Sequence, residues 1–217
     1  MTYSVKLVFA TTSRWKLEQA NRFLSPFGIT AGPPPDFSRP KDELFVRTPG
    51  GDNQYTVEIQ AGSIEEVCRF KAESAAANLE QPVLVEDIGV SIRALNGFPG
   101  PYTKYAIVTL GVSGFLRLMR GVSVRSAEMT SVVGYCTPGG AAVTFSAALA
   151  GRILKEERLD PQNPWRDVLL YPIFQPRGER RSLAEIAPEE LMALPAFPMR
   201  ASLENFARWF QSRTSTR

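Results

Sequence analysis

The chain has 217 residues, enough for one sizeable core or two closely packed lobes, and its 44% hydrophobic and 22% charged residues exclude a disordered chain. A formal net charge of +3, carried by scattered rather than striped basic residues, argues against a nucleic-acid-binding module. With no histidine, and with Cys68 and Cys136 outside any CxxC spacing, a histidine-dependent triad is excluded and a zinc site is disfavoured. No apolar run approaches the roughly 18 to 20 residues of a membrane span and no signal-peptide pattern opens the sequence, so a cytoplasmic protein is expected.

In chain order, Lys6 to Ala10 (KLVFA) reads as a short buried strand and Thr11-Thr12-Ser13 as a polar turn whose hydroxyls can cap a helix. From Lys16 to Leu24 the apolar positions Leu17, Ala20, Phe23 and Leu24 share one helical face, and Gly28 lies just past the expected end. A strand, a hydroxyl-rich turn and a helix start form either an anion site, to which Lys16 adds charge, or an ordinary capped helix. GxxxxGK[ST] is absent, so the turn is not a P-loop. Residues 31–55 are rich in proline, glycine and charge and read as a long loop or irregular hairpin. A strand over Tyr55 to Gln60 and an alanine-rich helix over Ser63 to Leu79 follow, with Ser63 and Glu66 spaced as a capping box. Ile64, Val67, Cys68, Lys71 and Ala75 fall close to one face of that helix, where the lysine either snorkels or is aimed at an anion.

The run VLVEDIGVSIRALNGFPGPYTK, Val83 to Lys104, places Glu86 and Asp87 at the end of an apolar strand and follows them with a Gly/Pro-punctuated loop. Open α/β sheets build ligand clefts at such strand ends. Carboxylates there suit a hard divalent cation such as Mg²⁺ shared with substrate phosphate; the plainer alternative is a strand end whose acids face water. Further along, Val112 to Met119 suggests a helix. Ala127 to Thr137 and Ala142 to Leu149 suggest strands joined at Pro138-Gly139-Gly140. Pro188 to Leu194 and Ala201 to Phe210 suggest helices, the latter striped by Leu203, Phe206, Ala207 and Phe210.

With YTVEIQAGSIEEVCRFKA and PIFQPRGERRSLAEI, these pieces resemble, from about Lys6 to Phe210, the inosine triphosphate pyrophosphatase family, house-cleaning enzymes that convert deaminated purine nucleoside triphosphates to monophosphate and pyrophosphate. The resemblance implies a single domain over residues 1–217, an α/β fold with a mixed twisted sheet, flanking helices and two lobes around a deep nucleotide cleft. It also implies Mg²⁺ as cofactor and a homodimer. Residue by residue, it implies that Thr11, Thr12, Ser13 and Lys16 form a phosphate loop, although Thr12-Ser13 stands where the family usually has Gly-Asn. Glu58 and Asp87 then hold the metal, Lys71 reaches the triphosphate, Lys104 is a further nucleotide contact, and Glu86 is a second carboxylate that orients the attacking water. Lys16, Glu86 and Asp87 would carry catalysis.

The base-recognition half departs from the family pattern. Val168-Leu169-Leu170-Tyr171-Pro172 replaces F-G-[WY]-D-P, Pro198-Met199-Arg200 replaces S-H-R, and Leu194 stands near an expected lysine. Tyr171, Met199 and Arg200 would therefore meet the base in place of the usual polar groups. Two readings remain: an active pyrophosphatase re-aimed at another base, or a catalytically degenerate relative that binds a nucleotide or a protein partner.

Overall fold

In a computed structural model, the structure describes residues 5–35 and 59–214. The long segment from 36 to 58, and with it Glu58 and most of the strand expected over Tyr55 to Gln60, lies outside the described residues. The elements are β1 (Val5–Phe9), α1 (Arg14–Leu24), β2 (Ile29–Gly32), α2 (Ile64–Leu79), β3 (Val83–Ile92), β4 (Pro99–Gly100), α3 (Thr103–Leu118), β5 (Ser126–Cys136), β6 (Val143–Ile153), β7 (Phe174–Pro176), α4 (Pro188–Ala193) and α5 (Pro198–Thr214).

The strands form one seven-stranded mixed sheet in the order β2-β1-β3-β5-β6-β7, with β4 paired to β3. β1 runs parallel to β2 (Val5 opposite Ile29) and to β3 (Val8 opposite Val83), whereas β4 is antiparallel to β3 and β7 to β6. The mixed sheet with flanking helices is the fold class expected from the sequence. The chain groups into two compact units: the described residues of Met1–Asp87, Ser131–Ala147 and Met199–Arg217, and those of Ile88–Thr130 and Ala148–Pro198.

In the first unit, β5 sorts its side chains by the period of two that a strand imposes. Val132 and Cys136 join the core formed with Ile64, Cys68, Ala72, Ala75 and Ala76 of α2 and with Val83 and Val85 of β3. Gly134 faces the same way, and a Cβ there would lie 3.1 Å from both the Cys68 carbonyl oxygen and Sγ, so the glycine permits close approach of helix and sheet. The alternate residues Ser131 and Tyr135 face α5: Tyr135 meets Phe206 at 5.5 Å between ring centroids and Trp209 and Phe210 at 5.7 Å each. The stripe expected on the last helix is thus an aromatic cluster, with Leu203, Phe206 and Ala207 fully buried. At the start of α2, Ser63 accepts the Glu66 N–H at 3.2 Å, but Glu66 Oε2 reaches the Gly62 N–H, one residue before the partner a capping box would give it.

In the second unit, α3 corrects the sequence expectation, which began the helix at Val112. Its first half, starting at Thr103, is helical too, and Gly111 interrupts it at φ 62, ψ 174. Only glycine takes up that backbone freely, and the break hides the first half from a periodicity reading. Thr103 fixes the helix start: its hydroxyl accepts the Val90 N–H at 2.8 Å and donates to the Gly100 carbonyl at 2.7 Å. β6 extends to Ile153, four residues past its expected end, because Gly151, Arg152 and Ile153 pair with Pro176, Gln175 and Phe174 of β7. Arg125 holds this end of the strand by donating to the carbonyls of Ile153, Leu154 and Met119.

Candidate active site

The sheet register delivers β1 and β3 to the same end. The Ala10 N–H donates to the Leu84 carbonyl at 2.8 Å, which places Thr11 beside the stretch of β3 that leads into Glu86 and Asp87. The turn that follows is built as a cap. Thr11 Oγ1 accepts the Ser13 N–H at 3.1 Å, and Ser13 Oγ accepts the Lys16 N–H at 3.3 Å. Both hydroxyls accept backbone bonds here, and a hydroxyl that accepts still has its own proton to donate to an anion. Thr12 is the exposed member of the turn.

In the first turn of α1, Lys16 reaches across to β3. Its Nζ lies 2.7 Å from Glu86 Oε2 and 3.3 Å from the Glu86 carbonyl oxygen. The Glu86 side chain is 1% exposed and that of Lys16 22%. The other carboxylate oxygen, Oε1, accepts from Ser131 Oγ at 2.7 Å. Ser202 Oγ lies 3.0 Å from Ser131 Oγ and 3.1 Å from the Met199 carbonyl oxygen, two acceptors for its one proton. Ser131 and Ser202 are both fully buried. A buried carboxylate is tolerated only when its charge and lone pairs are met, and here one ammonium and one hydroxyl do so.

Asp87 follows Glu86 directly, so the strand turns it to the opposite side of the sheet, the side of Val83, Val85 and α2. It is half-buried. Cys68 of α2 reports the grouping: burial pushes its thiol far up, the negative charge of Asp87 pushes it further, and the positive charge of Lys71 acts in reverse, with Glu86 and Lys16 as weaker contributors. Lys71 follows Cys68 by three residues on α2, and Asp87 lies on the side of β3 that faces this helix. The picture of two neighbouring acids side by side changes: Glu86 is committed to Lys16 and Ser131, and Asp87 is the more accessible carboxylate.

Among the described residues no group of three His, Cys, Asp or Glu is placed to hold a metal ion. One half-buried carboxylate nonetheless fits Mg²⁺, which takes oxygen ligands and is commonly held by one or two carboxylates, waters and the substrate's own phosphates.

The remaining candidates are placed as follows. Lys104 is exposed in the first turn of α3. Arg200, in the first turn of α5, donates to Glu204 at 2.8 Å. Burial opposes the Glu204 charge, but hydrogen bonds from Arg200 and Arg208 hold that carboxyl below its usual range. Tyr171 and Met199 are each 1% exposed, and Leu169 (φ 45) and Leu170 are buried beside Tyr171 in sequence, so the segment that replaces the family's base-recognition motif is packed interior. Ser131 and Ser202 were not foreseen. The one available signal was a serine within the apolar run of β5.

The same architecture is found in a solved Ham1 protein from Coxiella burnetii, which superposes with a TM-score of 0.76 over 96% of this chain and 99% of that one at 22% identity. The Ham1 family model matches residues 7–195, and the chain belongs to the Ham1 family. A protein of Methanopyrus kandleri named dITP/XTP pyrophosphatase is 37% identical over 213 residues, covering 98% of this chain and all of that one. A protein of the same name from Methanothermobacter marburgensis is 37% identical over 207 residues, covering 95% and 96%. The family resemblance read from the sequence is borne out.

Proposed function

We infer that the chain is a nucleoside triphosphate pyrophosphatase, cleaving the α–β anhydride of its substrate with water to give a nucleoside monophosphate and pyrophosphate, and that Mg²⁺ is its cofactor. The observation that carries this reading is the Lys16–Glu86 ion pair at 2.7 Å, next to Asp87 on β3, in a chain that matches named dITP/XTP pyrophosphatases over nearly their whole length.

In this reading Lys16 and Lys71 neutralise charge on the phosphates as the anhydride opens, Lys104 adds a further contact, and the Thr11 to Ser13 hydroxyls donate to phosphate oxygens. Asp87 holds the metal, together with Glu58 from outside the described residues. When bound, Mg²⁺ would supply the positive charge that polarises phosphate oxygens. Glu86 keeps the Lys16 ammonium at a fixed place. The homodimer and the cytoplasmic setting implied by the family resemblance belong to the same proposal; among the described residues no helix is long and apolar enough to cross a membrane.

Base selection is proposed to differ from that of the named relatives. Arg200 is the one charged group retained where the family pattern has its polar base contacts, and the 168–172 segment is apolar and packed. Each hydrogen-bond partner lost in a desolvated pocket costs about 1 to 3 kcal/mol, so inosine triphosphate is expected to be a poor substrate. The test is pyrophosphate release from inosine, xanthosine, the four common and several modified nucleoside triphosphates, with and without Mg²⁺. Release without added Mg²⁺ in the presence of chelator would overturn the cofactor assignment. A clear preference for inosine or xanthosine triphosphate would overturn the altered specificity.

A further inference from the structure

We propose that Ser131 and Ser202 are positioning residues that fix the Glu86 carboxylate and, through it, the Lys16 ammonium. The inference rests on the pyrophosphatase reading above, in which Lys16 meets the triphosphate.

The directions of the bonds follow from the donor inventory. An ionised Glu86 can only accept, so the single Ser131 proton is committed to Oε1 at 2.7 Å. Ser131 Oγ then has only lone pairs to offer Ser202, which donates toward Ser131 Oγ at 3.0 Å or the Met199 carbonyl at 3.1 Å. Each oxygen of Glu86 is thus held from a different side: Oε2 by α1 through Lys16, and Oε1 by β5 and α5 through the two serines. One restraint alone would leave the carboxylate free to rotate about its last torsion, which is broad for a terminal sp² group. Two restraints define its plane. Ser131 and Ser202 make these bonds with no measurable exposure, so no water competes for them. The inner end of the chain is an ion pair, and the outer end lies in the first turn of α5, within two residues of Arg200.

A residue that merely filled space at position 131 would add to stability and do nothing more. A positioning residue acts through Glu86, and its effect must vanish once Glu86 no longer carries a charge to be aimed. The experiment is steady-state kinetics on the best triphosphate substrate with Ser131→Ala, Ser202→Ala, Glu86→Gln and the double variants, with thermal unfolding recorded for each. Ser131→Ala is expected to lower kcat about tenfold with KM changed by less than about threefold, the scale of losing a hydrogen bond to a charged group. The same substitution in the Glu86→Gln background is expected to cost less than about twofold more, which a structural role would not reproduce. Ser202→Ala, one bond further out, is expected to lower kcat about threefold and to add nothing to Ser131→Ala. It also serves as the reading should Ser131→Ala not fold.

Full kcat in folded Ser131→Ala and Ser202→Ala, with Glu86→Gln impaired, would overturn the proposal and leave the pyrophosphatase reading standing. Equal losses from Ser131→Ala in both backgrounds would overturn it as well. A parental protein that hydrolyses no triphosphate would remove both.

Discussion

Replacing Lys16 by methionine keeps the aliphatic stem on α1 and removes only the ammonium. Glu86 is then left with a 1% exposed side chain and the Ser131 hydroxyl on its carboxylate. Breaking a buried pair by deleting one partner costs about 3 to 5 kcal/mol, because the surviving charge has neither water nor counter-ion. Lys16 is 22% exposed, so water can enter where its head was and the lower end of that range applies, about 3 kcal/mol. For a chain of this size each kcal/mol moves Tm by about 2 to 4 °C, so Lys16→Met should melt roughly 6 to 12 °C below the parent. The assay is thermal unfolding by circular dichroism, with denaturant midpoints as a second measure. Lys16→Met/Glu86→Gln carries the critical information: replacing the stranded carboxylate by a neutral amide removes the cause, so the double variant should regain at least half of the lost stability, although it should stay inactive. A Tm within about 2 °C of the parent for Lys16→Met, or a double variant less stable than the single, would refute the buried-pair argument.

Two further outcomes are expected. Asp87→Asn, at a half-buried position facing away from the Glu86 network, should fold with near-parental Tm and lose about two orders of magnitude or more in kcat; parental turnover would remove Asp87 from the metal site. Burial pushes the Cys68 thiol up in the native state, and burial followed by the Glu73 charge does so for Cys136. Above the ordinary thiol value of about 8.5 the unfolded chain gives up protons that the native state keeps. Stability is therefore complete below that pH and falls as pH rises, by up to about 1.4 kcal/mol per pH unit for each thiol. Burial, with the neighbouring Cys136, raises the Tyr135 phenol too and adds to the slope at higher pH. Denaturant midpoints that stay flat from about pH 8.5 to 10.5, or a slope left unchanged by Cys68→Ala, would contradict the burial argument.

What the sequence made legible were the features that repeat at short range. Ala20, Phe23 and Leu24, the alanines of α2 and the stripe of α5 announce their helices because burial selects the same face every third or fourth residue. The first half of α3 escaped because Tyr105 and Val108 are exposed apolar residues that blur the periodicity, and Gly111 then breaks it. Within the site, the lysines and acids could be named from their motifs, but their pairing could not. Glu86 meets Ser131 at a separation of 45 residues and Ser131 meets Ser202 at 71, distances over which no local pattern carries information. The facing of Glu86 and Asp87 is a different matter. Adjacent strand residues point to opposite sides, so the separation of the two acids was available from the strand assignment itself.

That separation also explains why a lysine and a glutamate are kept in an expensive setting. A buried ion pair often stabilises a fold no more than well-packed apolar residues of the same volume do, so stability alone gives no reason for Lys16 and Glu86 to stand here. A lysine side chain carries about 2 kcal/mol of rotamer entropy, which an enzyme that used a free lysine would lose each time it bound its substrate. Held at 2.7 Å by a carboxylate that is itself held by Ser131, the Lys16 ammonium is ordered before any nucleotide arrives. In the proposed reaction this is preorganisation of charge, the effect that contributes most to catalysis of charge-developing steps. In the same proposal the strand's alternation divides the work between consecutive residues: Glu86 turns to one side and fixes Lys16, and Asp87, half-buried on the other, is the residue proposed to hold the metal.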